Sequence, residues 1–98
     1  MSASTLPMFD FVVLLAPGVI GYTVDVGLDL YVPLIEATKP GSGDVGRYLD
    51  SLPFDRRVVV PNVISAQLAG MLARRGFSPT VEWAADFEQN VEIWERRA

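Results

Sequence analysis

Residues 9–35 read FDFVVLLAPGVIGYTVDVGLDLYVPLI, and this stretch decides the fold. Its β-branched and aromatic residues favour strands. Pro17-Gly18 is a turn signal, because proline fixes φ and glycine accepts a positive φ. The stretch therefore predicts a strand over residues 9–16 and a second strand over residues 19–26, joined as a hairpin.

A third strand is expected over residues 28–35. Alternation along it places Leu28, Leu30 and Val32 on one face. Pro33 cannot donate a hydrogen bond to a neighbouring strand. We therefore expect a bulge, or the loss of a neighbour, at Pro33.

The pattern changes to a helical period in two places. Asp44 is expected to be the N-cap of a helix over residues 45–52, and Ser65 the N-cap of a helix over residues 66–75. Gly76 follows the second helix as a natural C-terminal stop. The apolar stripes of the two helices predict the following core residues: Val45, Tyr48, Leu49, Leu52, Leu68, Met71 and Leu72.

The rest of the chain completes an α/β (α+β) fold. A short strand is expected over residues 57–60, and a closing hairpin pairs residues 81–83 with 91–93. The predicted order is β-β-β-α-β-α-β-β, with a twisted mixed sheet and two main helices. Residues 1–8 read as an irregular N-terminal arm, and residues 9–98 form one domain.

Composition excludes several classes of function. The 98 residues contain no cysteine and no histidine, so disulfides, Cys/His zinc sites and Ser–His pairs are impossible, and we expect no metal site. The net charge of −4 argues against nucleic acid as a partner. Residues 11–20 are apolar but shorter than the roughly 20 residues that span a membrane, so no membrane association is expected.

The order of elements resembles the core of the GNAT (Gcn5-related N-acetyltransferase) fold, over nearly the whole chain. Ile20-Gly21-Tyr22 resembles the entry to that family's third strand, and Val32-Pro33 resembles the end of its fourth. Asn62 and Gly76-Phe77 resemble the exit of its fifth strand and the end of its fourth helix. Residues 41–52 resemble its pyrophosphate loop and the helix that follows.

The resemblance implies an acetyl-CoA site at this loop, where backbone N–H groups at a helix start would face phosphate oxygens. In one register of the family motif, Thr38 takes the first position. In the other register, set on Gly46, Asp44 stands where the first glycine belongs. The candidate cofactor-binding residues are Thr38, Gly41, Ser42, Gly43 and Gly46. The alternative is an ordinary loop with an aspartate cap.

The resemblance also shows which catalytic groups are missing. Leu72 stands where the family commonly has a tyrosine that acts as general acid. Asp25 and Asp29 are positional candidates for a general base, with the alternative that each is the solvent-facing residue of an alternating strand.

Two functions are therefore expected from different classes. The first is a non-catalytic, GNAT-like structural or protein-interaction domain, such as a virion or assembly component, with a protein partner or a homo-oligomer. Its compartment would be the cytoplasm or the virion, and the apolar arm 1–8 would take part in docking. The alternative is a minimal acetyl-CoA-dependent N-acetyltransferase.

Overall fold

The computed structural model describes residues 12–98. Within them, six strands form a single sheet and two helices pack against it. The strands are β1 (Val13–Ala16), β2 (Val19–Val26), β3 (Asp29–Ala37), β4 (Val58–Pro61), β5 (Ser78–Ala84) and β6 (Gln89–Arg96). The helices are α1 (Asp44–Asp50) and α2 (Ala66–Ala73).

The order of elements is the predicted one, but the α/β class is wrong. The strands lie in the sheet as β1-β2-β3-β4-β6-β5. Four of the five strand pairings among the described residues are antiparallel, and only β3 and β4 run parallel, over two residue pairs. An α/β sheet is built from repeated parallel crossovers. The chain is therefore a small α+β domain with a mixed, mainly antiparallel sheet.

The second strand has the predicted bounds, 19–26, and the third strand is displaced from the predicted 28–35 to 29–37. The turn at Pro17 and Gly18 joins β1 to β2, and Gly18 has a φ of 80°. The register between β2 and β3 shifts opposite Val32 and Pro33, which confirms the irregularity expected there. Leu28 was expected to share a strand face with Leu30 and Val32, but it lies in the turn before β3 and is 88% exposed. The arm 1–8, and the predicted strand residues 9–11, lie outside the described residues.

The two helices begin differently: a side chain caps the start of α2, whereas no side chain caps the start of α1. Ser65 caps α2 as predicted, because its side chain accepts a hydrogen bond from the Leu68 N–H at 3.2 Å. Asp44 is not the N-cap of α1. That position belongs to Gly43, which has a left-handed backbone and offers no side-chain cap, and Asp44 is the first helical residue. Within residues 12–98, neither helix has the length and apolar character needed to span a bilayer.

Both helices lie on the same face of the sheet. Leu49 of α1 and Leu72 of α2 are fully buried in one core cluster, together with Val19, Val32 and Val58 from three strands. The helices also approach each other, since a Cβ added to Gly46 would lie 3.5 Å from the Met71 side chain. Of the predicted stripe residues, Val45, Leu68 and Met71 are only partly buried.

The other face of the sheet is concave. In the sheet order, two strands separate β3 from β5, a distance of about 14 Å if the sheet were flat. Side chains stand roughly perpendicular to a sheet. Yet the Tyr31 hydroxyl on β3 donates a hydrogen bond of 2.9 Å to the Glu82 carboxylate on β5. The sheet must therefore curve toward the face opposite the helices, which we call the concave face.

Candidate functional site

Strand register identifies the side chains on the concave face. Directly paired residues point to the same side of a sheet, and alternate residues along a strand share a side. Tyr31 pairs with Val24 and with Val59, and Val59 pairs with Glu95. These four side chains therefore lie on the face that the two helices leave uncovered.

The concave face has an open apolar part, formed by β1, β2 and β3. We call it the open patch, and its members are Leu14, Ile20, Tyr22, Val24, Val26 and Leu34. Four of these side chains are exposed: Leu14 at 68%, Val26 at 50%, Val24 at 42% and Leu34 at 38%. Isolated apolar residues are common on protein surfaces, but a contiguous patch marks a site of interaction.

The other part of the concave face is closed by an ion network centred on Arg57. Its guanidinium donates to Glu95 at 2.7 Å, to Asp29 at 2.9 Å and to Glu82 at 3.2 Å. These carboxylates come from β6, β3 and β5. Val59 lies on the same side of β4 as Arg57 and is fully buried. The network therefore ties the curved sheet together and covers its centre.

Titration properties follow from this arrangement. Burial lowers the pKa of Arg57, but hydrogen bonds to Glu95, Asp29, Tyr31 and Glu82 outweigh burial and raise that pKa above its ordinary value. Burial, and then the hydrogen bond to Glu82, raise the pKa of Tyr31. Both groups therefore keep their protons at neutral pH, and neither is suited to act as a base.

The two candidate catalytic acids are occupied in ion pairs. Asp25 accepts a hydrogen bond of 2.8 Å from Arg56, although the Asp25 side chain is 72% exposed. Asp29 belongs to the Arg57 network. Each carboxylate is thus held by a guanidinium, and this ion pair gives it a structural role.

The glycine loop forms a compact turn at the other end of β3. Gly41 and Gly43 have φ values of 82° and 81°. The Ser42 N–H donates to the Lys39 carbonyl at 3.3 Å, and the Asp44 N–H donates to the Ser42 hydroxyl oxygen at 3.4 Å. The loop therefore uses some of the backbone donors that a phosphate would need.

Asp44 and Arg47 form an ion pair beside this loop. The Asp44 carboxylate accepts hydrogen bonds from the Ser42 hydroxyl, at 2.8 Å, and from Arg47. These two bonds, Ser42 first, lower the pKa of the Asp44 carboxyl, so it is ionised at neutral pH. The same side chain lies against Gly18, where an added Cβ would overlap it.

A cavity of about 560 Å³ lies between the loop and α2. Gly41, Ser42 and Gly43 line it, with Asp44 and Arg74 among its charged residues. A pyrophosphate needs an excess of positive charge and unoccupied donors. An ionised carboxylate in the first turn of α1 therefore disfavours a pyrophosphate at this loop.

The remaining cofactor candidates have structural contacts. The Thr38 N–H donates to the Gly18 carbonyl at 2.9 Å, and Thr38 does not line the cavity. Gly46 is buried where α1 meets α2, and an added Cβ would lie 2.9 Å from Arg75. Both residues therefore serve to hold the loop and α1 in place.

The structure does not bring the two halves of the predicted acetyltransferase site together. Asp29 begins β3 and Ala37 ends it, so about 26 Å of extended strand separates the candidate base from the glycine loop. Leu72, at the position of the missing general acid, is fully buried. The loop residues share one cavity, but the candidate acids lie elsewhere.

The open patch was missed in the sequence, although a signal for it was present. On β2, Ile20, Tyr22, Val24 and Val26 are apolar, while Val19 on the alternate register is buried against the helices. The alternate register continues with Gly21, Thr23 and Asp25, so only one side of β2 is apolar along its whole length. A continuous apolar side of a strand is typical of a covered face. Both helices lie on the other side of the sheet and leave this apolar side without a cover.

No protein-family model, curated protein or solved structure matches this chain. The resemblance to GNAT proteins therefore depends on the sequence features alone.

Among residues 12–98, no group of three or more acidic residues is arranged to hold a metal ion. In the Arg57 network, a guanidinium stands at the centre of the carboxylates.

Proposed function

We propose that this chain is a non-catalytic protein-interaction domain that docks through the open patch. The observation that carries the proposal is the coverage of the sheet. Both helices pack on one face, and Leu14, Val24, Val26 and Leu34 remain exposed on the other. Removing such side chains from water favours association by about 25 cal/mol for each Å² of apolar surface, before the entropy cost of binding is subtracted.

The setting we propose is a larger assembly, of which a virion is one example. In such an assembly, a small domain acts by presenting a shaped surface. The curved sheet suits this role because the Arg57 network fixes its shape across β3, β4, β5 and β6.

A pair of photo-crosslinking variants tests the proposal. A benzophenone amino acid at position 26 would lie in the open patch, and the same group at position 81 would lie on the face that carries the helices, where Val81 is 64% exposed. In extracts of the cells that express the gene, we expect a discrete, saturable adduct from position 26 only. Equal adducts from both positions, or no adduct from position 26, would contradict the proposal.

The acetyltransferase alternative has one observation in its favour, the cavity lined by the glycine loop. Calorimetric titration with acetyl-CoA separates the two functions. We expect weak or no binding, because the Asp44 carboxylate occupies the first turn of α1. Micromolar affinity, together with turnover that is lost on Asp25→Asn or Asp29→Asn, would support the enzyme instead.

A further inference from the structure

We infer that the partner of the open patch is an amphipathic helix with basic residues along the edges of its apolar side. This inference depends on the proposed function and adds the chemistry of the partner. It follows from two properties of the concave face, its dimensions and its charge.

The dimensions of the patch match one helix. From Ile20 to Val26, β2 extends about 20 Å, at 3.3 Å for each residue. Three adjacent strands span about 10 Å between the axes of the outer two, and about 14 Å between their outer edges. A helix has a diameter of about 10 Å and rises 1.5 Å for each residue, so a helix of about 13 residues covers the patch.

The charge of the concave face is negative. Asp29, Glu82 and Glu95 share one guanidinium, that of Arg57. The exposed Arg97 reaches Glu95 at 3.6 Å. Glu36 pairs with Ile20 and is exposed beside the open patch. Four carboxylates therefore face two guanidinium groups on this side of the sheet.

This surplus of negative charge selects among the possible occupants. A second copy that docked with the same face would bring two negative surfaces together, which is unfavourable. Residues 1–11 of the same chain are apolar but contain Asp10 and no basic residue, so they would not neutralise it. A helix with Leu or Met on one side and Lys or Arg at its edges satisfies both the apolar patch and the carboxylates.

A peptide selection on the full chain tests the inference. The probe is a displayed library of 14-residue helical peptides with Leu or Met at positions i, i+3, i+4 and i+7, and with Lys or Glu in equal proportion elsewhere. We expect the selected peptides to be enriched in Lys. Their affinity should fall at least about 10-fold for Val26→Asp, because the new carboxylate would be buried against the apolar side of the helix. It should stay within about twofold for Val81→Asp, because Val81 lies on the other face of the sheet.

A charge reversal gives a second measurement. Glu36→Lys should weaken the selected peptides by about 5–10-fold at low salt, and the difference should shrink in 1 M salt, where the Debye length is about 3 Å. Glu36 is outside the Arg57 network, so this change leaves the shape of the sheet intact.

The outcomes separate the inference from the proposed function. Peptides that depend on Val26 but are neutral or acidic would overturn the basic helix and keep the interaction domain. A dimer in sedimentation velocity that is lost on Val26→Asp would overturn it in favour of a second copy. An intramolecular crosslink from position 26 to residues 1–11 would assign the patch to the chain itself. If no selected peptide depends on Val26, both the inference and the use of this surface fail.

Discussion

Replacing Arg57 with methionine tests how the curvature of the sheet is maintained. The change keeps most of the apolar stem and removes the guanidinium that joins Asp29, Glu82 and Glu95. Three carboxylates would then lie together with only the exposed Arg97 beside them, 3.6 Å from Glu95. The variant should lose stability, and the hairpin of β5 and β6 should move away from β3.

The magnitude follows from the burial of the network. Removing one partner of a fully buried ion pair costs about 3–5 kcal/mol. Here the Arg57 side chain is 25% exposed, and Asp29 and Glu82 are 33% and 35% exposed, so solvent screens part of the interaction. We therefore expect a loss of about 2–3 kcal/mol.

Urea denaturation at pH 7 measures this loss, which corresponds to a fall in the midpoint of about 1–2 M. Arg56→Met is the matched control. Arg56 pairs with Asp25, whose side chain is 72% exposed, and donates to the backbone carbonyls of Leu28 and Asp29. Its loss leaves no cluster of carboxylates without a cation, so it should cost about 1 kcal/mol. Equal losses for the two arginines would refute the argument.

Three further predictions concern packing and the loop. Gly21→Ala should cost about 2–3 kcal/mol, because the added Cβ would overlap a backbone carbonyl of β3. Gly27→Ala should cost only about 1–2 kcal/mol for its left-handed backbone, since an added Cβ there would have nothing within 4 Å. Equal losses of stability in thermal unfolding would contradict this difference. Leu72→Ala should cost about 2–5 kcal/mol in urea denaturation, and an unchanged midpoint would show that its burial is misassigned. Ser42→Ala should raise the pKa of the Asp44 carboxyl in an NMR titration, because it removes the hydrogen bond that lowers this pKa most. In the unmodified chain, the ionised Asp44 carboxylate stabilises the fold at pH values above its ordinary pKa of 3.8. This stabilisation is lost as the pH falls through the lower pKa of the folded state. A pKa that is unchanged by Ser42→Ala would contradict the role of the hydroxyl.

The order of elements could be predicted because it depends on local patterns. The change from alternation to a helical period near Asp44 and Ser65 located both helices, and Pro33 located the irregularity in β3. The cap of α1 was predicted wrongly because Gly43 takes the left-handed conformation that ends the loop. The carboxylate of Asp44 is then available to Ser42 and Arg47 instead of the helix N–H groups.

The curvature of the sheet and the Arg57 network could not be predicted in this way. Arg57 is 28 residues from Asp29 and 38 from Glu95 in sequence, and no local pattern joins them. The prediction of an α/β class was wrong for a related reason. Strand direction depends on how the chain crosses the sheet, and β6 inserts between β4 and β5 as an antiparallel neighbour.

The candidate acids Asp25 and Asp29 were interpretable from sequence as either bases or solvent-facing strand residues. The structure gives each of them an arginine partner, which local alternation cannot reveal. The open patch exists because both helices pack on the same face of the sheet. Local patterns do not determine which face a helix covers, whereas the structure places Leu49 and Leu72 in a single core.

The central claim, that the open patch is exposed and available to a partner, is tested most directly by methyl NMR of the dilute full chain with a soluble gadolinium chelate. Val81 is the exposed reference at 64%, and Val59 is the buried reference at 0%. The account predicts that the methyl groups of Val24 and Val26 relax nearly as fast as those of Val81. Relaxation as slow as that of Val59 would show that the patch is already covered, and would contradict the proposed docking surface.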